Sequence, residues 1–404
     1  MSVRVNVLFP LPCNGIGPSH ICRSVVRHMN GQPDGLKVRL YTPRVSRREW
    51  GRDIRQGLPR SLRYLPWSVV RSEGERRTEE LFLRETQGTA AYLWSEVSLG
   101  VARVLRERGG AVLREKFNCH KAYSRRILEE AYARIGVQAQ HGLDEGRIAK
   151  EREELGLADW IMCPNGGVRE SLLVEGIDES KLIDTSYGWD PARFRGTSRL
   201  LEPAAGMTVV FVGYICVRKG AHLLLEAWEK SKVKGRLLMI GSMEPTIAEK
   251  CRERLNREDV IVAPFSGDVG RAYRSADVFA FPSLEEGGPL VVYEAMGHGL
   301  ASLVSPMGAG RGVRDGVEGM VMDPYAVDEW AAALSRMERD EELRKEMGRV
   351  GRERAMEFTW ERVGAQRREE VVKRLGRAGR ESGRATEEAS PVNGAVSVDA
   401  MRAS

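Results

Sequence analysis

No cysteine pair in this 404-residue chain is spaced C-x-x-C, and its six cysteines (Cys13, Cys22, Cys119, Cys163, Cys216 and Cys251) are scattered. That pattern points away from a disulfide framework and towards reduced thiols packed in a cytoplasmic protein. No apolar run reaches the about 18 residues needed to span a bilayer. The opening MSVRVNVLFPLPCNG is too short and too strand-like in its apolar part for a signal peptide. The expectation is a cytoplasmic protein with, at most, a peripheral hold on the membrane face. G-x-G-x-x-G is also missing, which counts against a dinucleotide-binding enzyme. Zinc-finger spacing and an aromatic-basic RNA signature are lacking, so nucleic acid is not an expected partner. There is no repeat of solenoid length.

What is present is enough apolar residue, 42% of the chain, for two cores of roughly 150 to 200 residues each. The net charge of +6 comes from 63 basic and 57 acidic residues mixed along most of the chain. A moderately basic surface of this kind suits phosphate-bearing ligands or an anionic membrane face.

From Met207 onward, β-branched runs (VVFVGYI, RLLMIGS, VIVAPF, VFAFPS, ASLVSP, GMVMDP) alternate with helical stretches such as HLLLEAWEKS and PLVVYEAMGHG. Continuous apolar strands between helices predict a parallel sheet covered on both faces, a doubly wound α/β domain. The first part opens alike: strand VRVNVLFP, a glycine-containing loop, helix HICRSVVRHM and strand KVRLYTP. It continues less regularly through AYLWSE, VSLGVARVLRERG, AVLREKF, KAYSRRILEEAYARIG, EGRIAKEREELGL and WIMCPN. LEPAAGM reads as the linker. Two segments depart from the pattern. Seven arginines (44, 47, 48, 52, 55, 60 and 63) face only Glu49 and Asp53 between Arg44 and Arg63, with Trp50 and Trp67 nearby. From about Gly376 the tail has too few large apolar residues to pack and reads as disordered.

The most informative stretch is FPSLEEGGPLVVYEAMGHGLASLVSP. Gly287 and Gly288 permit a tight turn after a strand, and Pro289 suits the first turn of a helix. A strand, glycine turn and helix start present free N–H groups and the positive end of a dipole where α/β domains bind phosphates. Glu294 is the single charge in an otherwise apolar helix. Buried and unpaired it would cost several kcal/mol, so it needs a partner, and ribose hydroxyls or a structural arginine would each serve. Glu286 either faces the same cleft, accepting hydrogen bonds from sugar hydroxyls, or is solvated.

Glu286 and Glu294, with seven residues between them inside ADVFAFPSLEEGGPLVVYEAMGHG, closely resemble the donor-site signature of family 4 glycosyltransferases. FVGYICVRKGAHLLLEAW, TSYGWDPARF and EFTWERVGAQ resemble segments of that family in the same order, so that the likeness runs from about Val3 to Arg374 and is weak between Arg44 and Thr86. The resemblance implies the GT-B architecture, two Rossmann-like doubly wound domains facing each other across a donor cleft. By it, residues 1–202 form the acceptor-side domain with an irregular insertion at 44–80. Residues 207–348 form the nucleotide-sugar domain, 349–375 a helix crossing back, and 376–404 the disordered tail.

The family also implies roles. Arg218 and Lys219 grip the donor diphosphate beside Gly213, and a basic loop between a strand and a helix is a plausible clamp on physical grounds. Gly287, Gly288, Pro289, Leu290 and Glu294 complete the donor site, and Glu286 meets the sugar. Gly15 and Gly17 bring the first loop close to donor and acceptor, and His120 lies near the transferred sugar. Glu286, His120 and Lys219 are thus the implied catalytic residues. Three positions depart from the family: Tyr214 stands where many members have arginine, Arg311 where glutamate is common, and Glu285 where a neutral or aromatic residue is usual. The chain contains no Asp-x-Asp, so a metal-bridged diphosphate is not expected and no cofactor is called for; the nucleotide-sugar is a substrate. The implied reaction is retaining transfer from a UDP- or GDP-sugar to a glycan, lipid-linked or small-molecule acceptor; the alternative is a non-catalytic nucleotide-sugar-binding or assembly protein with a degenerate form of the same fold. The Arg44 to Arg63 segment either contacts an anionic acceptor or membrane, or is a solvated loop.

Overall fold

The computed structural model describes residues 4–30, 35–203, 205–265 and 267–388, with side chains to 376. The first sheet contains β1 (Arg4–Leu8), β2 (Lys37–Thr42), β3 (Ile54–Gln56), β4 (Ala90–Leu93), β5 (Val112–Glu115), β6 (Trp160–Cys163) and β7 (Leu182–Asp184). Its order is β3-β2-β1-β4-β5-β6-β7, all parallel. The second contains β8 (Met207–Val212), β9 (Gly235–Ile240), β10 (Val260–Ala263), β11 (Val278–Phe281), β12 (Ala301–Val304) and β13 (Gly319–Val321). Its order, β10-β9-β8-β11-β12-β13, is again all parallel. Each sheet therefore reverses its winding beside its first strand, at β1/β4 and at β8/β11. Those are the points where open α/β sheets leave a crevice at the strands' carboxyl ends.

Helices cover both faces. Around the first sheet are α1 (Pro18–Met29), α2 (Trp67–Glu85), α3 (Leu99–Glu107), α4 (Lys121–Arg134), α5 (Glu145–Gly156) and α6 (Gly166–Val174). Around the second are α7 (Ala221–Ser231), α8 (Pro245–Lys250), α9 (Arg252–Leu255), α10 (Gly270–Tyr273), α11 (Leu290–Gly297), α12 (Val327–Arg339) and α13 (Glu341–Ala355). Finally α14 (Trp360–Glu388) returns to the first domain. β8 is buried at all six positions, as a two-sided parallel strand must be. In α1, Ile21, Cys22, Val25, Val26 and Met29 form one buried stripe at helical spacing.

Three expectations change. The segment 44–80 is not irregular throughout: Ile54–Gln56 adds an edge strand beside β2, and Trp67 begins a 19-residue helix. That helix carries few apolar residues, and it buries the i, i+4 stripe Val70, Gly74, Thr78 and Phe82. Its outer face is held by Arg71–Glu75, Arg76–Glu80 and Arg77–Glu73 pairs. The crossing helix starts at Trp360 and not at 349, because α13 still packs on α11 in the second domain. In the tail, the helix α14 does not end at Gly376 but runs on to Glu388, extending a helix already nucleated on the first domain. The rest of that tail, 389–404, lies outside the described residues.

α14 lies along α1, where Gly364 leaves no room for a Cβ against His28. Its Arg367 is fully buried and reaches Glu115 at 2.8 and 3.2 Å, Tyr92 Oη at 2.9 Å, and the Ser186 carbonyl at 3.0 and 3.1 Å. The two chain crossings between domains run side by side: Trp189 N–H donates to Phe358 O at 2.9 Å and Trp360 N–H to Trp189 O at 3.1 Å. All six cysteines are free and buried. No helix among the described residues is long and apolar enough to cross a membrane.

Candidate functional site

The cleft's second-domain wall is built from two loops at the carboxyl ends of β8 and β11. After β8 the chain passes Gly213 and makes a short 3-10 turn, Val217–Lys219, before α7. Gly220 has φ 67°, and a Cβ there would stand 2.1 Å from the Pro282 carbonyl, so glycine is required for the loops to touch. They are joined where Leu284 N–H donates to Arg218 O at 2.9 Å.

Lys219 runs its stem past Gly213, stands 4.9 Å from the centre of the Phe281 ring and pairs with Glu286. Ser283 Oγ donates to the same carboxylate at 3.2 Å. Burial raises the Glu286 pKa, but Lys219 and Arg218 outweigh it and hold the carboxyl below its usual range. Arg218 Nη1 donates to Glu285 twice, to Oε2 and to the carbonyl, each at 3.0 Å.

Glu285 also resolves one departure from the family pattern. It is buried, and its Oε1 accepts from Cys119 N–H and Ser124 Oγ–H of the first domain, both at 3.1 Å. Glu285 thus bridges the domains, and Glu286 is the acid paired to Lys219. Gly287 and Gly288 serve the same junction: a Cβ on Gly287 would sit 1.5 Å from Phe117 O, and one on Gly288 2.4 Å from Tyr187. Their glycine character is set by this close approach. Pro289 is the N-cap and not the first helical residue, which leaves the first-turn N–H groups of Leu290 and Val291 without intrahelical acceptors. Arg311 makes a further bridge, to Asp184 at 2.6 Å and Cys163 O at 3.3 Å in the first domain. Tyr214, at the other departure, is substantially exposed.

Glu294 lies one turn into α11, buried. Among the described residues no arginine pairs with it; Tyr273 Oη donates to its Oε2 at 3.0 Å. Burial raises its pKa above the usual carboxylate range, against the Tyr273 hydrogen bond and the Arg193 charge. Arg193 comes from the crossing segment and lies 3.3 Å from His20 Nε2 of α1. Tyr273, Arg193 and His20 were not read from the sequence. The approach of AYRSADVF to the second glutamate was the available signal for Tyr273; the other two carry none.

In the first domain Gly15 and Gly17 have φ 78° and 55°, and the loop they shape folds onto Ser19, whose Oγ accepts from Asn14, Gly15 and Ile16 N–H at 3.1–3.3 Å. His120 requires correction. Its side chain is 0% exposed, its Nδ1 accepts from Ala122 N–H at 3.2 Å as the N-cap of α4, and burial lowers its pKa. It serves the helix start, with its ring beside Glu151 and Glu175, and is not among the residues that line the cleft pocket. The nearby groups that do line the cleft are Lys116, Asn118, Lys121 and Ser124, around a pocket of about 390 Å³ that also touches Arg218 and Glu285. Lys116 and Lys121 are both paired there with the buried Glu151. No cluster of three or more potential metal ligands occurs among the described residues.

Two doubly wound parallel domains, facing each other with basic and acidic loops at their carboxyl edges, define the GT-B class. The solved structures agree on the fold. Sucrose-phosphate synthase from Thermosynechococcus elongatus matches with a TM-score of 0.69 at 19% identity, covering 93% of this chain and 100% of that one. Anabaena HepE in complex with UDP and glucose matches with a TM-score of 0.61 at 12% identity, covering 92% and 100%. In sequence, residues 199–354 match the family described as Glycosyl transferases group 1. A D-inositol 3-phosphate glycosyltransferase of Kineococcus radiotolerans is 29% identical over 249 residues, 53% of this chain and 57% of the relative. That of Corynebacterium kroppenstedtii is 30% identical over 271 residues, 60% of this chain and 58% of the relative. The chain thus spans little more than half the length of these curated relatives.

Proposed function

We propose that the protein is a retaining glycosyltransferase that moves a sugar from a nucleoside-diphosphate sugar, UDP- or GDP-linked, to a hydroxyl acceptor. The observation that carries this reading is Glu294: a buried carboxylate at the switch point of the second sheet whose hydrogen-bond partner is a tyrosine, with no cation bonded to it among the described residues. A ribose diol would supply the missing donors. The UDP complex of HepE, a protein of the same fold, supports a nucleotide donor. The relatives' name makes D-inositol 3-phosphate the first acceptor to try.

In this reading the donor diphosphate draws Lys219 and Arg218 from their carboxylates and takes the N–H groups at the start of α11. The bond from the anomeric carbon to the diphosphate oxygen breaks, the acceptor oxygen bonds to the same face, and its proton passes to the leaving phosphate oxygen. Catalysis rests on positioning and on stabilising the leaving charge. Glu286, freed from Lys219, accepts from the sugar's hydroxyls. Closure about the paired crossings at Trp189 and Trp360 excludes water.

The test is a panel of UDP-, GDP-, ADP- and dTDP-sugars, followed by thermal shift and by sugar release. A stabilising, slowly hydrolysed donor whose effect weakens in Glu294→Gln is expected. If no donor stabilises the protein or is turned over, and Glu294→Gln changes nothing, the reading fails.

A further inference from the structure

Beside the Gly15–Gly17 loop lies a pocket of about 540 Å³. Its charged lining is Arg44 and Arg63, its polar lining Asn14, Ser19 and Ser46, and its apolar wall includes Trp67; no carboxylate lines it. Both arginines are half-buried. Arg44 Nη1 donates to the carbonyls of Leu65 at 2.7 Å and Arg63 at 3.1 Å, and its guanidinium lies 5.7 Å from the centre of the Trp67 ring. Arg63 Nε donates to Leu58 O at 2.7 Å. These bonds fix the side chains without neutralising them. A half-buried cation ordinarily finds an acid, as Arg23 does with Asp53 and Arg39 with Glu85 a few residues away. Burial and the neighbouring Arg60 charge depress the pKa of Arg63, a sign of positive charge left unmatched.

We propose that this pocket binds the anionic group of the acceptor, a phosphate monoester or diester, through Arg44 and Arg63. The proposal rests on the glycosyltransferase reading for the word acceptor, though not for the anion. Phe9, Leu11 and Pro18 line both this pocket and the cleft pocket that touches Arg218 and Glu285, so one elongated molecule can occupy the two. The cleft pocket suits the reacting, uncharged end, because its lysines and Arg218 are already matched by Glu151 and Glu285. The arginine pocket suits the charged end, since guanidinium forks match phosphate oxygens. The residues lie where the chain least resembles family 4, so the pocket belongs to this protein's choice of acceptor. Exposed Tyr64 and Val69 beside it suit a phosphate carried either on a small molecule or at a lipid surface.

The test measures binding of inorganic phosphate and glycerol 3-phosphate by calorimetry, and of phosphatidylcholine vesicles with and without phosphatidylglycerol by sedimentation, with UDP titrated in parallel. R44Q/R63Q is expected to weaken phosphate or anionic-vesicle binding by about tenfold or more, the scale of one lost charge-assisted hydrogen bond, with UDP affinity unchanged. Ser46→Asp, which puts a carboxylate into the pocket while keeping both arginines and their carbonyl bonds, is expected to do the same. Binding of the soluble esters assigns the phosphate to a free acceptor, and binding of anionic vesicles alone assigns it to a lipid. Wild-type protein that takes UDP but no phosphate probe in either arm, or variants that bind as wild type does, would overturn the proposal. Failure to take UDP counts against the donor reading instead, and leaves the phosphate result to stand or fall by itself.

Discussion

On the second domain's side of the cleft Arg218 and Lys219 each meet a carboxylate of the adjoining loop, whereas in the pocket beside Gly15 the arginines meet carbonyl oxygens. The first arrangement is neutral as it stands, and a ligand must compete with Glu285 and Glu286 for the cations. The second is positive as it stands. A neutral pair can release a product as readily as it takes up a substrate, while an unmatched pair of guanidinium groups holds an anion without displacing anything. A donor diphosphate that must leave after transfer suits the former. An acceptor that must be recognised suits the latter.

The comparison presupposes two domains held in register, and the strongest way to break it is through α14. Replacing Arg367 with Met leaves Glu115 buried without its cation and is expected to cost about 3–5 kcal/mol in urea unfolding; a loss below about 1 kcal/mol, the range of an exposed pair, would show that the contact does not hold the helix down. Next in size, Lys219→Ala is expected to lower donor turnover by about 10²–10³, the scale seen when a charge-stabilising group is removed. Donor cleavage at the wild-type rate would remove Lys219 from the leaving-group site.

Glu285→Gln sharpens the contrast directly, because two readouts are expected to move in opposite directions. Loss of the charged bridge to Cys119 and Ser124 is expected to cost roughly 1–3 kcal/mol of stability, while the freed Arg218 tightens UDP binding. If UDP binds more weakly, the pair does not compete with the donor. Acid titration comes next. Burial raises the pKa of Glu151, but Lys116 and Lys121 overcome it and bring the carboxyl to about 2. A folded pKa lowered in this way means stability that is fully present above the unfolded value near 4.5 and lost as pH falls towards 2. Glu151→Gln is expected to flatten that part of the pH–stability profile, and an unchanged slope would refute the assignment. Smallest is Arg48→Gln, at an exposed arginine outside the pocket, which is expected to shift stability and phosphate binding by no more than about 0.5 kcal/mol; a large loss would mean that general positive charge, and not the pocket, attracts the anion.

Most of the architecture was legible because each parallel strand is buried on both faces and so reads as an apolar run: TVVFV, LLMI and VFAF announce β8, β9 and β11 without reference to anything distant. The helix α2 was harder. Its buried stripe contains Gly74 and Thr78, which pack because they are small and not because they are greasy, so no hydrophobic period marks it. The short edge strand Ile54–Gln56 forms only by pairing with β2 and has no pattern of its own. Within the site, Glu286 and Glu294 stood out by spacing and by a lone charge in an apolar helix. His120 was implied by the family likeness alone, and in the structure it caps a helix.

What the chain determined locally, then, is where strands, glycine turns and helix starts fall, and with them the switch-point loops that carry Lys219, Glu286 and Glu294. Those depend on residues within a turn or two of one another. The partner of each charge was decided by the tertiary structure. Glu285 meets Cys119 and Ser124 over more than 160 residues of separation, Arg367 meets Glu115 over 252, and Arg44 and Arg63 find no acid in their pocket. Charge pairing acts through space over a few ångströms, and sequence neighbourhood carries no information about which distant group will arrive there.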